Sequence, residues 1–397
     1  MPQYRPLSEA EEPAFASMVS NAFDPASGPH TFDSEDGQST VSPLGERRGL
    51  FEGEDLLAVC KHHPFAAHVG ADRLSIGGVA ALAVPPEHRR RGNARRLLVA
   101  SLAEYRDREF ALAVLWPFEH AFYAQFGWAT ATRYVTLETT PEALAFARDE
   151  REGSFVRLDP GAHDRLDSVI AAHDAQFDVV IDRTEDWWRE RVFDTWNGEP
   201  YVYGWERDGD LRAYVAYHIE ESDGGTNLQT VESAWADWEA RLAVLSFLAD
   251  QDAQVDSVRM HEPDAGLLEV APSPEAIDAT VHTGPMVRLV DVPDALRRRS
   301  YPEGASGTVV IGVDDPLLDR NDACFRLTFD EGEARVDVVE GTPDLTLGVG
   351  ALSQLYVGYR SVDNVVRTRD ATVQNDPGRT LLGDAFPAAE VFLRERF

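Results

Sequence analysis

Cysteine is scarce in this chain of 397 residues, where Cys60 and Cys324 are the only two. Two cysteines so far apart in sequence do not suit the disulfide framework of a small secreted domain or the clustered ligands of a zinc site. The adjacent histidines His62 and His63 do not supply a metal site either, because no third ligand lies at metal-binding spacing. We therefore expect no metal centre, and we expect a protein of a reducing cytoplasm.

Long apolar runs are also missing. No stretch of about 18 apolar residues occurs, so the sequence predicts no membrane-spanning helix. Met1–Ala10 lacks the basic and apolar pattern of a secretion signal. Apolar residues nevertheless make up 43% of the chain, which is typical of globular proteins. The length predicts about two to four domains with a sizeable core. Because long apolar runs are missing, we expect no membrane partner.

Lysine is almost absent, because Lys61 is the one lysine. All the other members of the 37 Lys and Arg residues are arginines. Asp and Glu together number 69, which gives a formal net charge of −32. In molar salt the Debye length is only about 3 Å, so such a surface repels itself weakly. The acidity predicts a halophilic protein. It also disfavours nucleic acid as a partner, because phosphates would be repelled.

The most informative segment is 84–94, which reads V-P-P-E-H-R-R-R-G-N-A. It follows the apolar run 76–84 and precedes a helical pattern over 94–105, so it predicts strand, turn and helix. Backbone N–H groups of such a turn and helix start can hold a pyrophosphate, and Gly92 allows close backbone approach. Neither a Rossmann fingerprint nor a P-loop is present. A basic surface loop that touches nucleic acid is the alternative interpretation.

Periodicity divides the chain into three regions. The first has a helix, an acidic loop over 24–49, further strands and helices, and a final strand at 134–137. The second repeats a strand–strand–helix–strand order without a second arginine-rich loop. The third begins near residue 286 and contains five predicted strands and two helices.

Two motifs resemble a known family. Arg89, Gly92 and Ala94 form R-x-x-G-x-A, which is how the coenzyme A loop of GNAT acetyltransferases reads. Segment 122–128, F-Y-A-Q-F-G-W, resembles the Y-x-x-F-G-[YW] element of the enhanced intracellular survival (Eis) family of N-acetyltransferases. The resemblance implies an α+β fold with two tandem GNAT domains, the second degenerate, and a C-terminal domain like sterol carrier protein type 2. The expected boundaries are 1–140, 141–285 and 286–397.

The resemblance also implies an active site that uses acetyl-CoA as cosubstrate and no metal. Its coenzyme-binding residues would be Leu82, Ala83, Val84, Arg89, Arg90, Arg91, Gly92, Asn93 and Ala94. The first three match a bulged strand whose backbone bonds the pantetheine arm. Tyr123 would be the general acid, and the terminal carboxylate of Phe397 would be the base. From the residues alone, Tyr123 can equally be a core residue with a satisfied hydroxyl.

The acceptor is the least defined part of the prediction. Family relatives acetylate aminoglycosides and lysine side chains by direct attack, so we expect a primary amine of a cationic, aminoglycoside- or polyamine-like molecule or of lysine. Phe23, Asp24 and Glu395 are the candidate acceptor-binding residues, although single acidic residues are more often solvated surface charges. Arg396 departs from the acidic residues that the family places beside its terminal carboxylate. The resemblance further implies a homo-oligomer, possibly a hexamer.

An alternative function belongs to another class. Because the C-terminal region resembles a lipid carrier, the chain can also be interpreted as a lipid- or ligand-binding protein whose acetyltransferase domain is vestigial. The intact R-x-x-G-x-A motif and Tyr123 argue against that interpretation. Binding of acetyl-CoA discriminates between the two.

Overall fold

The computed structural model describes residues 2–32, 42–148, 152–222 and 224–397. Two compact units are present. The first comprises Met1–Thr132, Asp178–Asp182 and Pro285–Phe397, and the second comprises Arg133–Phe177 and Arg183–Gly284. The predicted domain boundaries near residues 140 and 285 stay a prediction.

The strands are, in chain order, β1 Gln3–Pro6, β2 Glu46–Glu52, β3 Asp55–Val69, β4 Asp72–Ala83, β5 Leu112–Leu115, β6 Ala129–Thr130, β7 Arg133–Thr139, β8 Ser154–Arg157, β9 Val180–Ile181, β10 Tyr201–Arg207, β11 Asp210–Ser222, β12 Gly225–Trp235, β13 Ser257–Glu262, β14 Asp278–Thr283, β15 Met286–Leu289, β16 Gly307–Asp314, β17 Ala323–Asp330, β18 Glu333–Val339, β19 Leu345–Gly348 and β20 Ala371–Val373.

The helices are α1 Glu12–Phe23, α2 Asn93–Asp107, α3 His120–Ala124, α4 His163–Asp174, α5 Glu185–Trp187, α6 Trp238–Ala249, α7 Leu267–Val270, α8 Val292–Arg298, α9 Val349–Tyr356, α10 Val362–Arg367 and α11 Asp376–Ala385. Six of these agree in position with the sequence prediction, whereas α4, α5, α7, α10 and α11 were not predicted. The predicted loop over 24–49 is partly wrong, because β2 begins at Glu46. Residues 33–41 of that loop lie outside the described residues.

The first unit contains a mixed sheet in the order β1-β2-β3-β4-β5-β15-β6, with β9 on β3. Strands β4 and β5 are parallel and are joined by α2. One face of α2 is buried and contributes Leu97, Leu98, Leu102 and Tyr105 to the core. Strand β15 lies between β5 and β6. The strand that the sequence assigned to the start of the third region thus completes the first sheet.

The second unit contains the sheet β14-β7-β13-β12-β11-β10-β8. Strands β12 and β13 are parallel and are joined by α6, which repeats the β4–α2–β5 arrangement. The strand predicted at 134–137 exists as β7, but it pairs in this sheet and not in the first. The sequence prediction missed β12 and wrongly began the following helix at Trp235, which is the last residue of β12.

A third sheet, β18-β17-β16-β19-β20, lies in the first unit together with α8 to α11. Its core is continuous with one face of the first sheet, since Ile76 and Leu112 belong to the same buried cluster as Val309 and Phe325. Within the described residues, no helix is long and apolar enough to cross a membrane. The same part of the chain has no group of three or more His, Cys, Asp or Glu side chains that could hold a metal ion.

Candidate active site

Strand β4 is bulged shortly before it ends. Ala83 pairs with Val59 and Ala80 pairs with Lys61, so three steps on β4 oppose two on β3. Ala81 absorbs the extra residue with φ +49°. A bulge leaves part of the backbone outside the ladder and redirects the residues beside it. The bulge therefore lies where the resemblance implied it, beside Leu82.

The loop after β4 has the backbone of an anion-binding nest. Arg90 has φ +57° and Gly92 has φ +78°. Left-handed residues that alternate with others turn successive N–H groups toward one side. A Cβ on Gly92 would meet no atom within 4 Å. Glycine is therefore favoured there by its left-handed backbone and not by lack of space.

Six successive backbone amides in this loop are uncommitted. Among the described residues, no acceptor bonds the N–H groups of residues 90–95, and the first helical bond runs from Arg96 N to Gly92 O at 3.0 Å. The first N–H groups of an α-helix have no partner within the helix, and they carry the positive end of its dipole. Loop and helix start together present a cradle of donors.

The loop side chains divide into braces and exposed cations. Asn93 is 3% exposed, and its Nδ2 donates to His88 O at 3.0 Å while its Oδ1 accepts from Arg96 Nη1 at 3.0 Å. Arg89 Nε donates to Val84 O at 2.9 Å. The side chain of Asn93 thus holds the loop in shape, and among the described residues only its backbone amide is left without an acceptor. Arg90 and Arg91 are exposed.

A cavity of about 680 Å³ joins the bulged strand to this loop. It has the size of an ordinary small-molecule site. Nine of the predicted residues line it, namely Phe23, Leu82, Ala83, Val84, Arg89, Arg90, Gly92, Asn93 and Ala94. Arg91 belongs to the loop but not to the lining. The sequence analysis missed Ala22, His88, Arg95, Phe118, Phe122, Gln125 and Phe126, of which His88 and Arg95 could have been found from their place beside the motif.

Tyr123 lies behind this cavity on α3. It is 4% exposed and belongs to the same buried cluster as Leu82. Its ring makes edge contacts at centroid distances of 5.6 Å with Phe118 and 5.0 Å with Phe122, both of which line the cavity. Burial raises the pKa of Tyr123 above its ordinary value of 10, so the phenol is neutral at physiological pH.

The C-terminal residue returns to the first sheet. The ring centroid of Phe397 lies 5.5 Å from that of His63 and 5.2 Å from that of Phe65, both on β3. A Cβ on Gly78 of β4 would come within 2.8 Å of the Phe397 ring. The chain terminus is therefore packed on β3 and β4, on the N-terminal side of the bulge. His63 and Phe65 were not predicted as neighbours of the site.

The predicted acceptor residues are not all together. Phe23 is 56% exposed and lines the cavity, whereas Asp24 does not line it and has its Oδ2 3.7 Å from His30 Nε2. Glu395 is 4% exposed. Its backbone oxygen accepts a hydrogen bond from Trp116 Nε1.

A polar network connects α2 to strands β1, β2 and β3 of the first sheet. Tyr4 donates to Glu104 at 2.7 Å, and Arg48 Nη2 donates to the other oxygen of that carboxylate at 2.6 Å. Burial lowers the pKa of His62, whose Nε2 lies 2.9 Å from Ser101 Oγ. His62 therefore belongs to the core of the first sheet and α2. The sequence analysis had considered it only as a metal ligand.

Three family models match the chain. Models described as acetyltransferase (GNAT) domains match residues 3–131 and 179–289, and a sterol carrier protein domain matches residues 292–394. The chain thus combines two GNAT domains with a sterol carrier protein domain, as the sequence predicted. It is an acyltransferase, and the GNAT fold implies an acyl-CoA-type cosubstrate and an amine-bearing acceptor.

Individual proteins agree with this class. A Streptomyces griseus protein described only as an uncharacterized N-acetyltransferase is 26% identical over 347 residues, which cover 81% of this chain and 82% of that one. A GCN5-related N-acetyltransferase from Anabaena variabilis superposes with a TM-score of 0.84 at 18% identity, and Eis1 from Mycobacterium abscessus with 0.76 at 23%. Both superpositions cover 100% of each chain. The predicted Eis-like fold is confirmed.

Proposed function

We propose that this chain transfers the acetyl group of acetyl-CoA to a primary amine, by direct attack of the amine on the thioester. The observation that carries the proposal is the row of uncommitted amides at residues 90–95, where every residue except Arg91 lines the cavity beside the bulged strand. The donors suit a diphosphate, and Gly92 leaves open space for it. Arg90 would add a charge-assisted hydrogen bond.

The chain's own residues would divide the work as follows. The backbone of Leu82, Ala83 and Val84 would bond the pantetheine arm, and a backbone N–H there would stabilise the oxyanion. The amine nitrogen forms a bond to the acetyl carbon, and the carbon–sulfur bond breaks. Tyr123 would donate a hydrogen bond to the departing sulfur. Full proton transfer from Tyr123 to the thiolate is uphill, because burial raises the pKa of this phenol further above that of a thiol.

The terminal carboxylate of Phe397 would take the proton that the nitrogen loses after attack. A carboxylate with a pKa near 3.5 is too weak to deprotonate an alkylammonium outright, because that step is uphill by roughly 9 kcal/mol. It is better suited to orient the amine and to accept the proton once the nitrogen has become acidic. The packing of Phe397 on β3 and β4 supports this role, because it holds the chain terminus in a defined position.

For the acceptor we propose a cationic small molecule of aminoglycoside or polyamine type, or lysine. Phe23 supports this, because an exposed aromatic ring on the cavity wall can pack on a cation. Asp24 and Glu395 stay predictions. We also propose that the protein is cytoplasmic and halophilic and that it assembles as a homo-oligomer, possibly a hexamer. Light scattering after gel filtration in molar salt tests the oligomeric state.

The decisive experiment measures thiol release from acetyl-CoA with a panel of amines in molar salt, together with calorimetric titration of acetyl-CoA. We expect micromolar binding and amine-dependent release, with polycationic amines preferred. Absence of binding at micromolar concentrations would overturn the proposal and favour a ligand-binding protein with a vestigial acetyltransferase domain. Binding without release by any amine would refute only the transfer step.

A further inference from the structure

A buried ion pair connects the sterol carrier-like part of the first unit to the first sheet. Arg288 on β15 and Asp315, which follows β16, are both 0% exposed in their side chains, with Nη2 and Oδ2 2.5 Å apart. Asp315 Oδ1 accepts from the backbone N–H of Leu317 at 2.9 Å, and Oδ2 also accepts from Asn321 at 3.0 Å. These bonds fix the carboxylate, and the carboxylate in turn fixes the guanidinium.

The other side of the guanidinium holds the turn that follows α3. Arg288 Nη1 donates to the backbone oxygen of Phe126 at 2.6 Å. The next residue, Gly127, has φ +83°, and a Cβ there would clash with Arg288 Nη1. The close approach of arginine and turn thus requires glycine at this position. The guanidinium carbon also lies 5.3 Å from the centre of the Trp128 ring.

This turn is hydrogen-bonded to the backbone of Tyr123. The backbone oxygen of Tyr123 accepts hydrogen bonds from Phe126 N at 2.9 Å and from Trp128 N at 3.3 Å. The Trp128 ring makes an edge contact with the Tyr123 ring at 6.3 Å. A continuous series of contacts therefore runs from Asp315 through Arg288 and the turn to Tyr123.

Stability alone does not account for such a pair. A buried ion pair often contributes no more to folding than apolar residues of the same volume, because desolvation offsets the Coulomb attraction. Its particular property is direction, since charge-assisted hydrogen bonds hold their atoms at fixed positions. Among the described residues no side chain hydrogen-bonds the Tyr123 hydroxyl, so its direction depends on the backbone turn and the packed rings.

We propose that Arg288 and Asp315 are positioning residues for Tyr123, through which the C-terminal part of the chain sets the direction of the phenol in the acetyltransferase site. The inference rests on the proposed function. Neither Arg288 nor Asp315 would contact the coenzyme or the acceptor. It predicts that the pair acts on turnover only while the Tyr123 hydroxyl is present.

A double-mutant cycle tests this prediction. Asp315→Asn keeps the shape of the side chain and removes its charge. We expect it to lower kcat by about tenfold in the wild-type background, with the KM for acetyl-CoA changed by less than about twofold. In the Tyr123→Phe background the same substitution should change kcat by less than about twofold. Equal losses in both backgrounds would overturn the inference.

Arg288→Lys is the second variant, in case Asp315→Asn folds poorly. A lysine can keep the charge opposite Asp315 but lacks the second nitrogen that bonds Phe126 O. We expect the same dependence on Tyr123. Glu232→Gln, which alters the ion pair between Glu232 and Arg183 in the second unit, is the matched control. It should lower the melting temperature without changing kcat.

The outcomes separate this inference from the proposed function. If the wild-type protein releases no thiol with any amine, both fail. If it releases thiol and Tyr123→Phe has unchanged kcat, the role of Tyr123 fails and the inference fails with it. If Tyr123→Phe is slow but the losses at Asp315 or Arg288 are additive with it, the acetyltransferase stands and only the positioning role is refuted.

Discussion

The indole nitrogen of Trp116 donates a hydrogen bond of 2.7 Å to the backbone oxygen of Glu395. The guanidinium of Arg396 also lies 5.0 Å from the centre of the Trp116 ring. Trp116 directly follows β5, so the last residues of the chain are held at the end of that strand. This anchoring leaves Phe397 in contact with β3 and β4. The role proposed for its carboxylate can be tested by extending the chain.

Extension of the chain beyond Phe397 should impair catalysis without unfolding the protein. Two added glycines move the terminal carboxylate away from β3 and β4, while the Trp116 contacts remain. We expect kcat/KM to fall by about 100-fold or more, since a positioned proton-transfer group typically contributes about 100- to 10,000-fold. Thiol release measures it, with an N-terminal extension of equal length as the control. Full activity in the C-terminally extended protein would exclude the carboxylate from the mechanism.

Tyr123→Phe should lower kcat by about 10- to 100-fold and leave the affinity for acetyl-CoA within about twofold, because only the transition state uses the hydroxyl. Single-turnover thiol release and calorimetry measure the two quantities. Tyr301→Phe is the control, since the buried Tyr301 hydroxyl donates to Leu296 O at 2.7 Å in the C-terminal part. It should cost about 1 kcal/mol of stability and no activity. Equal kcat in wild type and Tyr123→Phe would contradict the assigned role.

Gly92→Ala should weaken acetyl-CoA binding by about tenfold or more. The backbone at φ +78° disfavours any Cβ by about 1–2 kcal/mol, and relief of this strain would turn the amide cradle away from the ligand. Gly53→Ala is a matched control, because Gly53 has φ +65° and equally open space in the turn between β2 and β3. Both variants should lose similar stability, measured by denaturant unfolding. Only Gly92→Ala should lose affinity, and equal affinities would argue against the cradle.

Removal of salt should destabilise the protein. At a net charge of −32, self-repulsion is screened over about 3 Å in 1 M salt but over about 10 Å in 0.1 M salt. We therefore expect the melting temperature to rise steadily from dilute buffer to molar potassium chloride. Sucrose at matched osmolality serves as the control for solvent exclusion. A melting temperature that does not change over this range would refute the halophilic interpretation.

The network beneath α2 predicts a dependence of stability on pH. Burial opposes ionisation of Glu104, but the His62 ring 3.7 Å away and the hydrogen bonds from Arg48 and Tyr4 outweigh it and lower the pKa of this carboxyl below its ordinary value. A lowered folded-state pKa stabilises the fold fully above the unfolded value of about 4.5, and the contribution is lost as pH falls through the folded value.

Glu104→Gln should therefore lower the free energy of unfolding at pH 7 and have less effect as the pH falls below about 4.5. Denaturant unfolding of both proteins at several pH values measures the difference. Glu87→Gln, at an exposed residue outside this network, is the control. A difference between wild type and Glu104→Gln that grows with acidity would contradict the assignment.

The conformation of the loop at residues 84–94 could be predicted from sequence because all its parts are local. The apolar run before Val84, the glycine at position 92 and the helical pattern after Ala94 specify strand, turn and helix within about 30 residues, and the structure has each of them. The available amides follow from the helix start itself. By contrast, Phe118 and Phe122 line the same cavity as Leu82 only through the tertiary fold, which no local pattern in the sequence records.

Sequence by itself determined which segments are strands and helices over much of the chain, since hydrophobic periodicity and turn residues act over short distances. Only the tertiary structure decided which strands pair. The strand at residues 286–289 pairs in a sheet formed by the N-terminal part of the chain. The strand at 133–139, although it follows that part directly in sequence, pairs in the second sheet. Backbone hydrogen bonds are alike for every strand, so partner choice depends on burial against distant side chains. The same reason applies to Phe397, whose neighbours on β3 lie more than 300 residues away along the chain.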